Sequence, residues 1–150
     1  LLYLNKLNYL KEEKEKLNDS CDVSKIILAS ANKFGPSRSD VVFSLDIDKK
    51  NTVFRGSDEM WEAIIDNILN NFMRYAKSQI KITLKNNKII LYNDGPNIDK
   101  DVLNNIFTPY EKGVRGVFGL GLSIVKKTLG LLNYDINIEN VKNGVKFIIS

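Results

Sequence analysis

"QIKITLKNNKIILYNDGPNI", residues 79–98, decides the fold. Two runs of β-formers alternate with polar residues and meet at Asn86-Asn87, a dipeptide suited to a tight hairpin. The second run stops at Asn93-Asp94-Gly95-Pro96, a strong turn signal. The expectation is an antiparallel hairpin ended by a turn, and the question is whether that loop also holds a ligand.

The flanking chain builds a domain around that hairpin. Residues 58–76 read as a long helix capped by Ser57 and Asp58, with Trp61, Ile65, Ile68, Phe72 and Ala76 on one apolar face. "VVFSLDID" (41–48) alternates like a half-buried strand, and "TVFRG" (52–56) is a second, short one. Asp19, Ser20 and Asp22 offer caps for a helix over about 23–33, which Pro36 ends. A short helix is expected over about 100–106 and another over about 120–131. "YDINIEN" and "VKFIIS" form a closing hairpin that turns at Lys142-Asn143-Gly144. Helices on one side and antiparallel-rich strands on the other give an α/β two-layer sandwich, with about three helices on a mixed, mostly antiparallel sheet. Residues 1–18 read as an amphipathic helix belonging to a preceding coiled or bundled segment.

Composition removes several chemistries. The 150 residues contain no His, which excludes a Ser-His-Asp triad, His-ligated zinc and any step in which a His of this chain carries a proton or phosphate. The single Cys21 excludes an internal disulfide and a Cys-based metal cluster, and it reads as a plain buried thiol. The formal charge of +4 is spread along the chain and marks no nucleic-acid partner. No apolar run approaches the ~18 residues that span a membrane. The chain opens Leu-Leu-Tyr, so it is expected to be cut from something longer.

Two features carry chemistry. On the long helix, Asn67, Asn71 and Arg74 fall within roughly 60° of one another, beside the apolar stripe. Asn is a mediocre helix former, because its amide competes for backbone hydrogen bonds. Such a row is either a solvated stripe or a polar row facing a ligand, in which Arg74 supplies positive charge and an Asn oxygen is available to a hard cation such as Mg²⁺. In "GVRGVFGLGLSIVKK" (113–127), Gly113, Gly116, Gly119 and Gly121 precede a helix, with Lys112 and Arg115 nearby. Glycines admit close backbone approach, and a helix N-terminus favours phosphate. No Gly-Lys-Ser/Thr is present, so this is not a Walker loop.

Together, in order, these segments resemble the ATP-binding catalytic domain of sensor histidine kinases, in the GHKL (Bergerat-fold) superfamily. "NILNNFMRY" (67–75) is similar to its N box, "NDGPNI" (93–98) to the first glycine box, "IFTPYEK" (106–112) to the F box and "GLGLSIVKK" (119–127) to the second glycine box. "NGVKFIIS" (143–150) resembles the usual terminal strand. The resemblance covers about residues 21–150; residues 1–20 would be the end of the dimerisation helix and a linker. It implies ATP and Mg²⁺ as cofactors, with Asn71 holding Mg²⁺, Asn67 beside the phosphates, Arg74 reaching them and Tyr75 packing on adenine. It further implies Asn93, Gly95, Asn97 and Ile98 at the adenine end, and Phe107, Tyr110 and Lys112 from the F box. Gly119, Leu120, Gly121 and Leu122 would offer backbone amides to phosphate. The implied partners are a histidine-bearing dimerisation domain of the same parent and a response regulator. The implied location is a cytoplasmic domain of a membrane-anchored homodimer.

Two departures refine this. Superfamily hydrolases carry Glu where this chain has Asn67, and an amide is a poor general base, so phosphoryl transfer rather than hydrolysis is expected. Asp66 points roughly 100° away on the helix and is not assigned as a base. In the first glycine box, the position of the family's adenine-binding Asp falls on Asn93 rather than Asp94, and the last glycine is Asn97, which must tolerate the backbone angle a glycine took. Without the carboxylate's charge, and with a short loop before Gly119, ATP is expected to bind with Kd above ~100 μM, about 5.5 kcal/mol or less. The alternative is a degenerate, weakly nucleotide-binding domain serving as a protein-interaction or dimerisation module.

Overall fold

A computed structural model describes residues 17–108 and 121–150. The helix expected over 1–18 therefore lies, but for Leu17 and Asn18, outside the described residues. In chain order the elements are β1 (Ser20–Asp22), α1 (Val23–Phe34), β2 (Val42–Ile47), β3 (Val53–Arg55), α2 (Asp58–Tyr75), β4 (Gln79–Lys85), β5 (Lys88–Asn93), α3 (Lys100–Asn104), α4 (Gly121–Leu131), β6 (Ile136–Val141) and β7 (Gly144–Ile149). Five strands form one sheet in the order β2-β4-β5-β7-β6. Only β2 runs parallel to its neighbour β4; every other pairing is antiparallel. The two-layer reading holds, with four helices among the described residues, the fourth being the short α3.

The central hairpin turns at Asn86 and Asn87, whose φ angles are 53° and 59°. Both are left-handed, as a type I′ turn requires, and Asn tolerates that region better than most residues. Its register places Ile80, Ile82 and Leu84 opposite Asn93, Leu91 and Ile89 on the inner face. That face meets α2, whose Trp61, Ile64, Ile65, Ile68, Leu69 and Phe72 are fully buried. Each such side chain contributes about 1.5–3 kcal/mol by leaving water. Phe72 meets Phe147 of β7 edge-on, with centroids 5.0 Å apart, and this pins the helix over β5 and β7.

β1 was not expected. Asp22 does cap α1, accepting from Ser24 N–H at 3.1 Å, but Ser20–Asp22 also pairs antiparallel with β3. Cys21 points inward and is 2% exposed. Burial, then hydrogen bonding to Asp58 and the Asp58 and Asp22 charges, push its thiol up to about 12. Among the described residues no helix is long and apolar enough to cross a membrane.

Candidate functional site

α2 starts where Ser57 accepts from Met60 N–H at 3.2 Å, with Asp58 and Glu59 in the first turn. Its polar row borders the buried stripe, as the periodicity predicts. Asn67 donates Nδ2–H to the Ala63 carbonyl one turn back, at 2.6 Å. Its Oδ1 lies beside Gly121, where a Cβ would sit 3.1 Å away. The N-box helix and the first residue of α4 thus meet at Asn67. Asp66 sits on another side of α2. It accepts from Ser30 Oγ and Lys33 Nζ, both at 2.6 Å, and so ties α2 to α1.

Next to this row is a cavity of about 130 Å³. It is lined by Asn71 and Tyr75 of α2, by Asn93, Pro96, Asn97 and Ile98 at and after the end of β5, and by Val145 and Phe147 of β7. Burial raises the Tyr75 phenol above its ordinary value, with the Arg74 charge opposing. Arg74 itself is exposed and stands outside the cavity wall. The end of α2 is held by Arg38, whose Nη1 donates to the Met73 and Ala76 carbonyls at 3.0 and 2.9 Å while Asp40 grips its Nε and Nη2.

The end of β5 sends Asn93 and Asp94 to different surroundings. Asn93 continues the inward face of β5, is 4% exposed, and lines the cavity. Its Oδ1 accepts from Gly95 N–H at 2.9 Å and keeps a second lone pair. Asp94 faces the turn that follows α2. It accepts from the N–H groups of Lys77, Ser78 and Gln79 at 2.9–3.1 Å and from Ser78 Oγ at 2.5 Å. Burial alone would raise its carboxyl, but the Ser78 hydroxyl and these N–H groups outweigh that and hold it at about 2. Gly95 has no left-handed φ; it is needed for room. A Cβ there would strike the Tyr75 carbonyl oxygen and lie 2.7 Å from Asn93 Oδ1.

Asn97 does not stand in for a glycine's backbone, since it is not among the left-handed residues. It works through its side chain, whose Nδ2 donates to the Val141 and Gly144 carbonyls at 3.1 and 2.8 Å. Phe107 is half-buried outside the cavity wall, with Lys126 Nζ 5.5 Å from its ring centre. Leu122 is 1% exposed and belongs to the core. Lys112, Gly119, Leu120 and Tyr110 lie outside the described residues, as do Gly113, Arg115 and Gly116. Sequence reading missed the wall residues Pro96, Asp99, Val102, Val145 and Phe147. Period-2 alternation in "VKFIIS" would have turned Val145 and Phe147 inward, but nothing local pairs them with Asn93.

Comparison with known proteins gives the family and the fold. Residues 56–150 match the model of the family described as histidine kinase-, DNA gyrase B-, and HSP90-like ATPase. The sensor histidine kinase CssS of Bacillus subtilis (strain 168) is 36% identical over 154 aligned positions, covering 100% of this chain and 34% of CssS. The chain thus spans about a third of that relative's length. The fold is shared with the mycobacterial sensor histidine kinase MprB at TM-score 0.79 and 18% identity, covering 88% of this chain and 95% of that one. The nucleotide-free catalytic domain of the histidine kinase ThkA matches at TM-score 0.78 and 23% identity, over 87% and 92%. ThkA has also been solved in complex with the response regulator protein TrrA, and that chain matches at TM-score 0.73 and 21% identity, over 97% and 46%. The sheet order, the polar row on α2 and the family match converge: this chain belongs to the histidine kinase-, DNA gyrase B- and HSP90-like ATPases.

Proposed function

We propose that this chain is the catalytic, ATP-binding domain of a sensor histidine kinase, one that hands the γ-phosphoryl of Mg-ATP to a histidine on a separate dimerisation domain. The observation that carries the reading is the cavity where Asn71 and Tyr75 of the N box face Asn93, Asn97 and Ile98 of the first glycine box. Its size suits one flat heteroaromatic base, Val145 and Phe147 give it an apolar lining, and the buried Asn93 amide sits in its wall as a polar anchor. The room left by Gly95 keeps that wall open. These features fit an adenine base.

The phosphates would extend from this cavity along α2 toward Asn67 and Gly121. Asn71 would offer its oxygen to Mg²⁺, and Asn67 and exposed Arg74 would bind phosphate oxygens. Lys112 and the amides of Gly119, Leu120, Gly121 and Leu122 would complete the phosphate side, with Phe107 contributed by the F box. When bound, Mg²⁺ would supply charge neutralisation for the triphosphate. The chain's part is positioning: Asn67 is no general base, and Asp66 is held by Ser30 and Lys33. Residues 1–20 would link the domain at 21–150 to the dimerisation helices. The phosphoryl group would pass on to a response regulator, with the domain on the cytoplasmic side of a membrane-anchored homodimer.

The test is labelling of the full-length parent by γ-labelled ATP. Acid-labile, Mg²⁺-dependent label on a parent histidine is expected, and Asn71→Ala should cut it at least about 100-fold. An unlabelled parent, or label indifferent to Asn71→Ala, overturns the reading; the former is what a degenerate interaction module predicts.

A further inference from the structure

The segment 95–98, which carries the cavity-lining Pro96, Asn97 and Ile98, lies between β5 and α3 in no regular element, so its backbone groups need partners from elsewhere. Gly95 N–H finds Asn93 Oδ1, and the partner of Ile98 comes from the β6–β7 hairpin. Asn140 of β6 takes both polar groups of Ile98: its Oδ1 accepts from Ile98 N–H at 2.8 Å, and its Nδ2 donates to the Ile98 carbonyl at 2.8 Å. Asn97 reaches back to the Val141 and Gly144 carbonyls. At the same corner, a Cβ on Gly144 would strike the Asn93 carbonyl oxygen, so the hairpin end is pressed against the end of β5. Behind it, Tyr92 donates its hydroxyl to the Asn143 carbonyl at 2.7 Å. Asn140 does not line the cavity. Asn is depleted in strands, and a place in the edge strand β6 gives it no packing role, so the reciprocal amide pair is its physical explanation.

We propose that Asn140 is a positioning residue for base recognition: with Asn97, it hangs the 95–98 wall on the β6–β7 hairpin before the ligand arrives. The inference rests on the nucleotide reading above. A wall ordered in advance spares the ligand the cost of ordering it. Removing Asn140 transfers that cost to binding and leaves the core untouched, because its side chain is exposed at the sheet edge.

The experiment compares the wild-type domain, Asn140→Ala, and a control, Asn137→Ala, exposed on the same strand. Three quantities are read: amide exchange at Ile98 without ligand, Kd for a non-hydrolysable ATP analogue with Mg²⁺, and Tm. Asn140→Ala should speed exchange at Ile98 by at least about tenfold. It should raise Kd about three- to tenfold, with Tm close to wild type, and the control should move none of the three. A wild type that binds no analogue overturns the nucleotide reading and this role with it. A wild type that binds, with Asn140→Ala binding equally well, overturns this role alone. So does unchanged Ile98 exchange, or a weaker Kd that comes with a lowered Tm and faster exchange throughout the core.

Discussion

Replacing Asp94 by Ala should cost stability and spare nucleotide affinity, although Asp94 directly follows Asn93 of the cavity wall. Its carboxylate accepts hydrogen bonds from four donor groups of the turn at 77–79. Its carboxyl is held at about 2 against an ordinary 3.8. At about 1.4 kcal/mol per unit the shift is worth somewhat over 2 kcal/mol, and the half-buried position discounts this for solvent screening to about 1–2 kcal/mol. For a domain of this size that lowers Tm by about 3–8 °C. The sign follows from a depressed folded pKa. The stabilisation is fully present above about pH 4, near the unfolded value, and is lost as pH falls toward the folded value of about 2. The Tm gap between wild type and Asp94→Ala should therefore be constant from about pH 7 to 5, narrow below about pH 4 and close only below the folded value of about 2. Calorimetric melts across that range measure it, and titration with an ATP analogue at pH 7 completes the comparison. Asn93→Ala should weaken the analogue more than Asp94→Ala does. A pH-independent gap refutes the hydrogen-bonded carboxylate, and the reverse affinity ranking refutes the register of the loop.

Arg38→Ala should lower Tm without affecting nucleotide binding at temperatures where the protein is folded, because Arg38 closes two carbonyls at the end of α2. Differential scanning calorimetry checks this. Gly95→Ala should remove analogue binding while the protein still folds, since its Cβ has no place beside the Tyr75 carbonyl oxygen; titration with circular dichroism reads both. Cys21 should resist thiol reagents at pH 8 in the native state and react after denaturation, given its burial and a thiol pushed up to about 12.

Most elements were legible because each carries a local signal. The Asn86-Asn87 turn, the Ser57 cap and the apolar stripe of α2 all need only neighbouring residues. β1 was not legible, because three residues cannot display alternation and its pairing with β3 lies some thirty residues away. The division of labour between Asn93 and Asp94 was readable: Ile89, Leu91 and Asn93 share one face of β5, so Asp94 must point elsewhere. The far wall was not. Val145, Phe147 and Asn140 reach it through strand order, and no spacing along the chain records that β7 lies next to β5. Asn97 was singled out for the glycine it replaces, but its side-chain bonds to the hairpin depend on the same tertiary contact.

The central claim is that the cavity between α2 and the 93–98 loop takes the base of Mg-ATP. Isothermal titration with a non-hydrolysable ATP analogue, with and without Mg²⁺, tests it most directly. The account predicts saturable, Mg²⁺-dependent binding with Kd above ~100 μM, or about 5.5 kcal/mol or less, that Asn71→Ala abolishes. No saturable binding up to about millimolar analogue, or binding that Asn71→Ala leaves unchanged, would contradict it.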